Sequence, residues 1–367
     1  MLLEDELKEL RERCSDCKLC LKECEFLGKV FATPAEMRDK AEAGYDKATL
    51  KVPYSCTLCD FCGAFCPSEL NMGEVYLQIR KKMVAEGFGP PPAAKKFVEI
   101  DQKRVFSDAF ALSLPAQDGE KTTRVFFPGC HGAGYSPEIV LKAYDYLRAK
   151  LPGTGIMLGC CGNPTRELGD EEGFQEKLRW LENEMHKLGA TEMIVACPYC
   201  NYTFKNYGVD FKVTSLYEVL AEIGLPEDAK TGSWTFSLHD ACRARWEVGM
   251  QDSVRKIVTE LGHTIEEMQY SRELTHCCGM GGGVSYSDMA LQKTMTKNTV
   301  EMAPHDMLTY CVTCRETFAP HKPTLHVMDL VFNPDWKEAM SNPAHKPTQV
   351  REHQSALREQ LLQKFGQ

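Results

Sequence analysis

The chain has 367 residues, 43% of them hydrophobic, and 52 acidic against 43 basic side chains give a net charge of −9. That is length enough for two or three globular domains, and an acidic balance without a large basic block argues against nucleic acid as the main partner. No apolar run reaches the roughly eighteen residues of a membrane span, and "MLLEDELKEL" lacks the basic and apolar regions of a secretion signal, so a cytoplasmic protein is expected, able to dock on the cytoplasmic face of the membrane through a partner.

In chain order, residues 1–110 read as helices and cysteine-bearing loops. Cys14-x2-Cys17-x2-Cys20-x3-Cys24 comes first, then Thr33-Pro34-Ala35-Glu36, a helix N-cap with proline at the first helical position. The cysteine pattern returns as Cys56-x2-Cys59-x2-Cys62-x3-Cys66-Pro67. "NMGEVYLQIRKKMVAEG" then sets Val75, Ile79 and Met83 at helical spacing, stopped by Gly87 and the prolines at 90 to 92. Residues 111–123, "ALSLPAQDGEKTT", carry Pro, Gly and charge and read as a linker.

From residue 124 short apolar runs alternate with amphipathic helices, and the pattern occurs twice, over 124–230 and 231–335. "RVFFPGC" matches "TFSLHDAC", "GCCGNP" matches "HCCGMG", "EMIVACPYC" matches "DMLTYCVTC" and "SLYEVL" matches "HVMDLV", at offsets of about 111 to 117 residues. This is a tandem duplication of an α/β unit. In each copy a strand runs directly into a cysteine. Open α/β sheets place ligands at strand ends, so the five cysteines of each copy are expected at one edge. Residues 336–367 form a polar tail ending in a helix whose Leu357, Leu361 and Phe365 share a face. Packing on its own domain is the preferred reading for that helix, and docking on a partner the other.

Eighteen cysteines is the outlying number. Disulfide scaffolding belongs to small secreted domains, so metal is the expected use here. The two early runs have the form of a bacterial two-cluster ferredoxin, in which the fourth cysteine of each run ligates the other cluster. Cys14, Cys17, Cys20 and Cys66 then hold one [4Fe-4S] cubane, and Cys56, Cys59, Cys62 and Cys24 the second. Glu25 follows Cys24 where proline is usual, a departure that touches local chain shape. Zinc knuckles also use C-x2-C pairs, but four cysteines in one run, twice, favour iron and sulfide. The remaining ten are Cys130, Cys160, Cys161, Cys197 and Cys200, then Cys242, Cys277, Cys278, Cys311 and Cys314. Five thiolates exceed what a tetrahedral zinc or an ordinary cubane takes. Adjacent cysteines are poorly placed to bridge each other, and the glycine after each pair lets the backbone turn closely. The fold class is α+β and α/β: a helical two-cluster ferredoxin domain followed by two tandem α/β cysteine-rich repeats.

This order of motifs, over about residues 10–335, resembles the iron-sulfur subunits of the heterodisulfide reductase group. It is most similar to the D-type subunit, in which the parts equivalent to the C-type and B-type subunits are fused. The resemblance implies that each complete CCG quintet binds a noncubane [4Fe-4S] cluster and that the two together reduce a substrate disulfide. The ten repeat cysteines would then be catalytic as well as metal-binding, in an enzyme of anaerobic metabolism acting on a small thiol or disulfide. The alternative it implies is an electron-conduit subunit of a flavin-dependent dehydrogenase of the glycerol-3-phosphate, glycolate or lactate type, feeding quinone. The chain has no flavin or nicotinamide fingerprint, so a flavoprotein or a membrane cytochrome b is the expected partner.

Other candidates are weaker. "CPYC" at 197–200 also has the form of a redox dithiol. His239, Asp240 and His276 stand beside repeat cysteines, where a histidine could bond a sulfur or carry a proton, although a structural role is the preferred reading. Arg243 and Arg245 could hold an anionic substrate group or lie solvated on the surface. Gly281 to Gly283 hint at a phosphate loop without its Lys-Ser/Thr.

Overall fold

The computed structural model describes residues 2–117 and 119–366. Met1, Gln367 and Asp118, the last within the expected linker, lie outside them. The chain forms two compact units that do not follow the sequential order of the motifs. The first holds the residues up to Ile100 with Pro164–Phe174 and Glu273–Met302; the second holds Asp101–Asn163, Gln175–Arg272 and everything from Ala303 onward.

The first unit is helical: α1 (Leu3–Arg13), α2 (Leu19–Glu23), α3 (Glu25–Val30), α4 (Pro34–Ala43), α5 (Phe61–Phe65) and α6 (Met72–Ala85). The cap expected before α4 is present, with the Thr33 hydroxyl accepting the Glu36 N–H at 3.1 Å and the Glu36 carboxylate taking the Ala32 N–H at 2.9 Å. Asn71 caps α6 in the same way, accepting the Gly73 N–H at 2.8 Å. The stripe Val75, Ile79 and Met83 is buried as its spacing predicts, and Tyr76 and Arg80 are buried with it. The helix stops before Gly87, which has φ +80°.

The second unit carries both sheets. Strands β1 (Leu112–Leu114), β2 (Arg124–Phe127), β3 (Thr154–Leu158), β4 (Glu192–Val195) and β5 (Lys212–Ser215) pair in the order β1-β3-β2-β4-β5. Strands β6 (Thr235–His239), β7 (Thr264–Glu267), β8 (Met307–Thr309) and β9 (Thr324–His326) pair as β7-β6-β8-β9. Without β1 the two orders are the same, second-first-third-fourth, and every pairing is parallel. The duplication read from sequence is thus a duplication of topology. Val125, Phe126 and Phe127 of β2 are all fully buried, the continuous apolar run of a strand covered on both faces. The stretch read as a linker contains β1, which pairs antiparallel to β3 and covers that edge of the sheet. The helix Pro347–Phe365 packs on the first copy: Leu357 and Leu361 are buried, Phe365 meets Tyr144 with ring centroids 5.6 Å apart, and the Gln354 amide donates to the Cys130 carbonyl at 2.7 Å.

Candidate metal centres

Each early cysteine run winds with the same unusual backbone. Asp16 and Lys18 in the first run, and Leu58 and Asp60 in the second, all have φ between 55° and 64°. Left-handed non-glycine residues are uncommon, and a leucine there is strained. Each run places them two residues after its first cysteine and one after its second. The Leu58 N–H points at the Cys56 sulfur, 3.4 Å away. In the first run the Cys20 thiol is pushed up to about 11, by burial first and then by Cys14, Cys66 and Cys17. Cys24 is pushed up by burial first and then by Cys62 and Cys59, with Cys56 adding further. Cys66 therefore stands among the cysteines of the first run, and Cys24 among those of the second. Burial likewise pushes Cys56 up to about 12, against the pull of the Arg80 charge, and raises Cys62 further. Buried thiols that oppose one another's ionisation, with backbone N–H groups aimed at sulfur, suit a bound cation cluster that would take them as thiolates.

In the second unit all five cysteines of the first repeat copy come together at strand ends. Cys130 follows β2, the pair Cys160-Cys161 follows β3, and Cys197 opens the helix Pro198–Asn206 after β4. Their sulfurs form a hydrogen-bonded chain, Cys130–Cys160–Cys161–Cys200–Cys197. Cys160 accepts from Cys130 and Cys161 and is held well below the ordinary thiol range, and Cys197, accepting from Cys200, is lowered too. The other three are pushed up, Cys130 by its bond to Cys160, Cys161 by its bond to Cys160 and Cys200 by its bond to Cys161, and burial adds to each. The Gln102 amide reaches the Cys160 sulfur at 3.5 Å. Gly162 after this pair, and Gly279 after the other, have φ +76° and +95°, so both glycines serve the turn expected of them. Among the described residues no three His, Cys, Asp or Glu side chains are drawn up around one bare ion.

The second quintet is divided. Cys242, Cys311 and Cys314 belong to the second unit, while Cys277 and Cys278 belong to the first. In the second unit three contacts set the turns of the two copies side by side. The Tyr217 hydroxyl lies 3.1 Å from the Ala196 carbonyl and 3.0 Å from the Tyr310 carbonyl, the residues preceding Cys197 and Cys311. His131, next to Cys130, has its Nδ1 2.8 Å from the hydroxyl of Thr313, next to Cys314. Arg243, beside Cys242, stacks over the rings of Tyr199 and Tyr202 at 5.2 and 4.5 Å. Sequence reading missed Tyr217, which lies inside "SLYEVL", a motif used only to align the copies.

In the first unit the pair Cys277-Cys278 is seated against the second ferredoxin run. His276 lies on the ring of Phe61, with centroids 4.3 Å apart, and its Nδ1 is 3.9 Å from the carboxylate of Glu25, the neighbour of Cys24. The hydroxyls of Thr296 and Thr299 donate to the carbonyls of Cys278 and Cys277 at 2.8 and 3.1 Å. The glycines that hinted at a phosphate loop do other work. A Cβ on Gly281 would stand 2.5 Å from the Thr57 carbonyl, and one on Gly282 would collide with the Cys56 carbonyl. Gly282 has φ +63°, so only glycine lets this turn lie so close to the Cys56 loop.

The remaining candidates are packed into the fold. Asp240 is fully buried, held by both Nη atoms of Arg255 at 3.0 and 2.8 Å and by the Tyr310 hydroxyl at 2.9 Å. His239 is buried edge-on to Phe318, with ring centroids 4.8 Å apart. Arg243 and Arg245 are buried, which removes the solvated-surface alternative of the two readings given for them, and aromatic rings cover the first.

Residues 13–71 match the 4Fe-4S dicluster domain, and 124–205 and 236–319 each match the Cysteine-rich domain. The chain is 27% identical to the D-type subunit of the dihydromethanophenazine:CoB–CoM heterodisulfide reductase of Methanosarcina mazei, over 75% of this chain and 74% of that protein. It is 26% identical to the B-type subunit of the fumarate reductase (CoM/CoB) of Methanothermobacter marburgensis, over 80% of this chain but only 64% of the relative. It is 23% identical to the EtfAB:quinone oxidoreductase of Syntrophomonas wolfei, over 65% of this chain and 37% of that protein. No helix among the described residues is long and apolar enough to cross a membrane.

Proposed function

We propose that this chain, an iron-sulfur oxidoreductase subunit with a dicluster domain and two cysteine-rich domains and similar to D-type heterodisulfide reductase subunits, reduces a small disulfide. Cys14, Cys17, Cys20 and Cys66 hold one [4Fe-4S] cubane, and Cys24, Cys56, Cys59 and Cys62 the other. The ten repeat cysteines hold two noncubane [4Fe-4S] clusters, by the equivalence of the two copies. When bound, these clusters supply one-electron carriers; two electrons and two protons turn one disulfide into two thiols. The dicluster domain takes electrons from a flavoprotein or a membrane cytochrome b on the cytoplasmic face. Phe61, Glu25 and His276 pack the second run against the Cys277-Cys278 pair, which would hold the ligands of the second cubane near those of the neighbouring cluster.

The observation that carries this reading is the meeting of the two copies' cysteine turns at Tyr217 and at His131–Thr313. A substrate whose cleavage gives two sulfur products needs two adjacent places to receive them. The first test is composition: anaerobically purified protein is expected to carry about sixteen iron and sixteen sulfide per chain, four of each per cluster. Stoichiometric zinc with little acid-labile sulfide contradicts the proposal. The second is anaerobic titration with disulfides and an artificial electron donor. Loss of Cys161 or Cys278 is expected to abolish reduction while the dicluster domain stays reducible. A thiol added to oxidised wild type is expected to give a new paramagnetic signal, because one thiol runs only half of the reaction backwards. Protein with all four clusters that neither reduces disulfides nor responds to thiols is instead the conduit.

A further inference from the structure

Arg80 lies in the apolar stripe of α6 and is fully buried. A guanidinium has five N–H donors in a fixed fork, and here each one meets a carbonyl. Nε and one Nη bond the Pro53 carbonyl at 3.0 and 2.8 Å. The same Nη reaches the Cys56 carbonyl at 2.6 Å, and the other Nη reaches those of Glu167 and Gly282 at 2.7 and 2.9 Å. The guanidinium also lies over the Tyr54 ring at 4.7 Å, and the Tyr54 hydroxyl donates to the Leu168 carbonyl at 2.8 Å. Gly282 is held from its other side as well, its N–H donating to the Glu167 carboxylate at 3.0 Å. One side chain thus fastens three stretches far apart in sequence: the loop that carries Cys56, the turn at Glu167, and the glycine turn after Cys277-Cys278.

We propose that Arg80 is the positioning residue of the junction between the Cys56 loop and the second cysteine pair, and that its buried charge raises the reduction potential of the cluster held by Cys24, Cys56, Cys59 and Cys62. This rests on the cluster assignment above. Reduction adds one negative charge, and a cation one residue's breadth away, out of water, favours the more negative state. The Asp60 and Glu167 carboxylates act in the opposite sense. A lysine in place of Arg80 keeps the charge but has three mobile donors, too few to hold four carbonyls in fixed directions.

The experiment uses the full chain, purified anaerobically, with Arg80→Met and Arg80→Lys. Cys14→Ala and Cys56→Ala assign the two cubane signals. In potentiometric titrations followed by paramagnetic resonance, Arg80→Met is expected to shift the equilibrium of the Cys56-assigned cluster about tenfold toward the oxidised form, about 59 mV for one electron. The Cys14-assigned cluster is expected to move less than threefold. Arg80→Lys is expected to keep the Cys56-assigned cluster within threefold of wild type while amide exchange over residues 281–284 quickens at least tenfold. Iron retained with both potentials unmoved in Arg80→Met, or both moved equally, overturns the proposal. If Arg80→Met loses its iron, Arg80→Lys decides: unchanged exchange over 281–284, or a tenfold shift in its Cys56-assigned cluster, overturns the proposal. Wild type lacking the two cubane signals overturns the cluster assignment itself and this inference with it.

Discussion

Tyr217→Phe removes one oxygen atom from the place where the two cysteine-rich copies meet. The ring stays, packed edge-on against Tyr310 with centroids 5.6 Å apart, so the change tests the hydroxyl and not the packing. That hydroxyl has one proton to share between Ala196, 3.1 Å away, and Tyr310, 3.0 Å away. The Tyr310 carbonyl also faces the His326 ring, so the Ala196 carbonyl, just before Cys197, bears most of the loss. A net hydrogen bond is worth about 1 kcal/mol and a buried acceptor left unmet costs about 1 more, so roughly 1–2 kcal/mol is at stake. Cluster loss in denaturant, followed by the decay of visible absorbance, is expected to quicken by up to ~5–30-fold. A shift of about 1 Å between reacting groups can cost about a hundredfold in rate, so disulfide reduction is expected to fall by at least about tenfold. Reduction of the dicluster domain by an artificial donor should be unaltered, because Tyr217 belongs to the other compact unit. A Tyr217→Phe protein with full iron and a wild-type rate of disulfide reduction would falsify the idea that the two turns must be held together.

Cys66→Ala is expected to perturb the same cubane signal as Cys14→Ala, and Cys24→Ala the same signal as Cys56→Ala; a common signal for Cys66 and Cys56 would refute the crossing of ligands. Burial, with Glu74 nearby, raises Glu6 from 4.5 to about 7. The folded state therefore holds this proton more tightly between those values, and stability falls as pH rises through them. Glu6→Gln is expected to stabilise the protein at pH 8 by about 1–2 kcal/mol, discounted because the site borders solvent, with no gain below about pH 4.5; equal gains at both pH values in thermal unfolding would contradict this. Leu361→Ala, at a fully buried position, is expected to cost about 2–5 kcal/mol and to expose Pro347–Phe365 to proteolysis; unchanged thermal unfolding and protease resistance would contradict the packing.

What could be read from sequence was what the chain encodes within a few residues. The Thr33 cap, the Val75–Ile79–Met83 stripe and the strand-then-cysteine pattern all depend on near neighbours, and all are in place. Arg80 was invisible because an arginine between Ile79 and Lys81 looks solvated; its partners Glu167 and Gly282 are remote in sequence. The same holds for the glycine run, whose purpose is the close approach to Cys56 and Thr57. Arg243 was open to two readings, anion holder or solvated surface residue, and its burial could not be seen because Tyr202 belongs to the other copy. The strand Leu112–Leu114 was hidden by its short length and the Pro and Gly that follow.

The first compact unit includes Glu273–Met302, which the ribosome delivers about 200 residues after Ile100. At roughly 5–20 residues per second, that is a wait of about 10–40 s. During it Arg80 has only part of its carbonyl set, and the cysteines of both ferredoxin runs emerge into the cell before their surroundings are complete. The part of the protein that is made first is therefore among the last to close. Iron and sulfide delivery has a window measured in tens of seconds in which to reach open thiols, and a fragment ending near residue 110 would never leave that window.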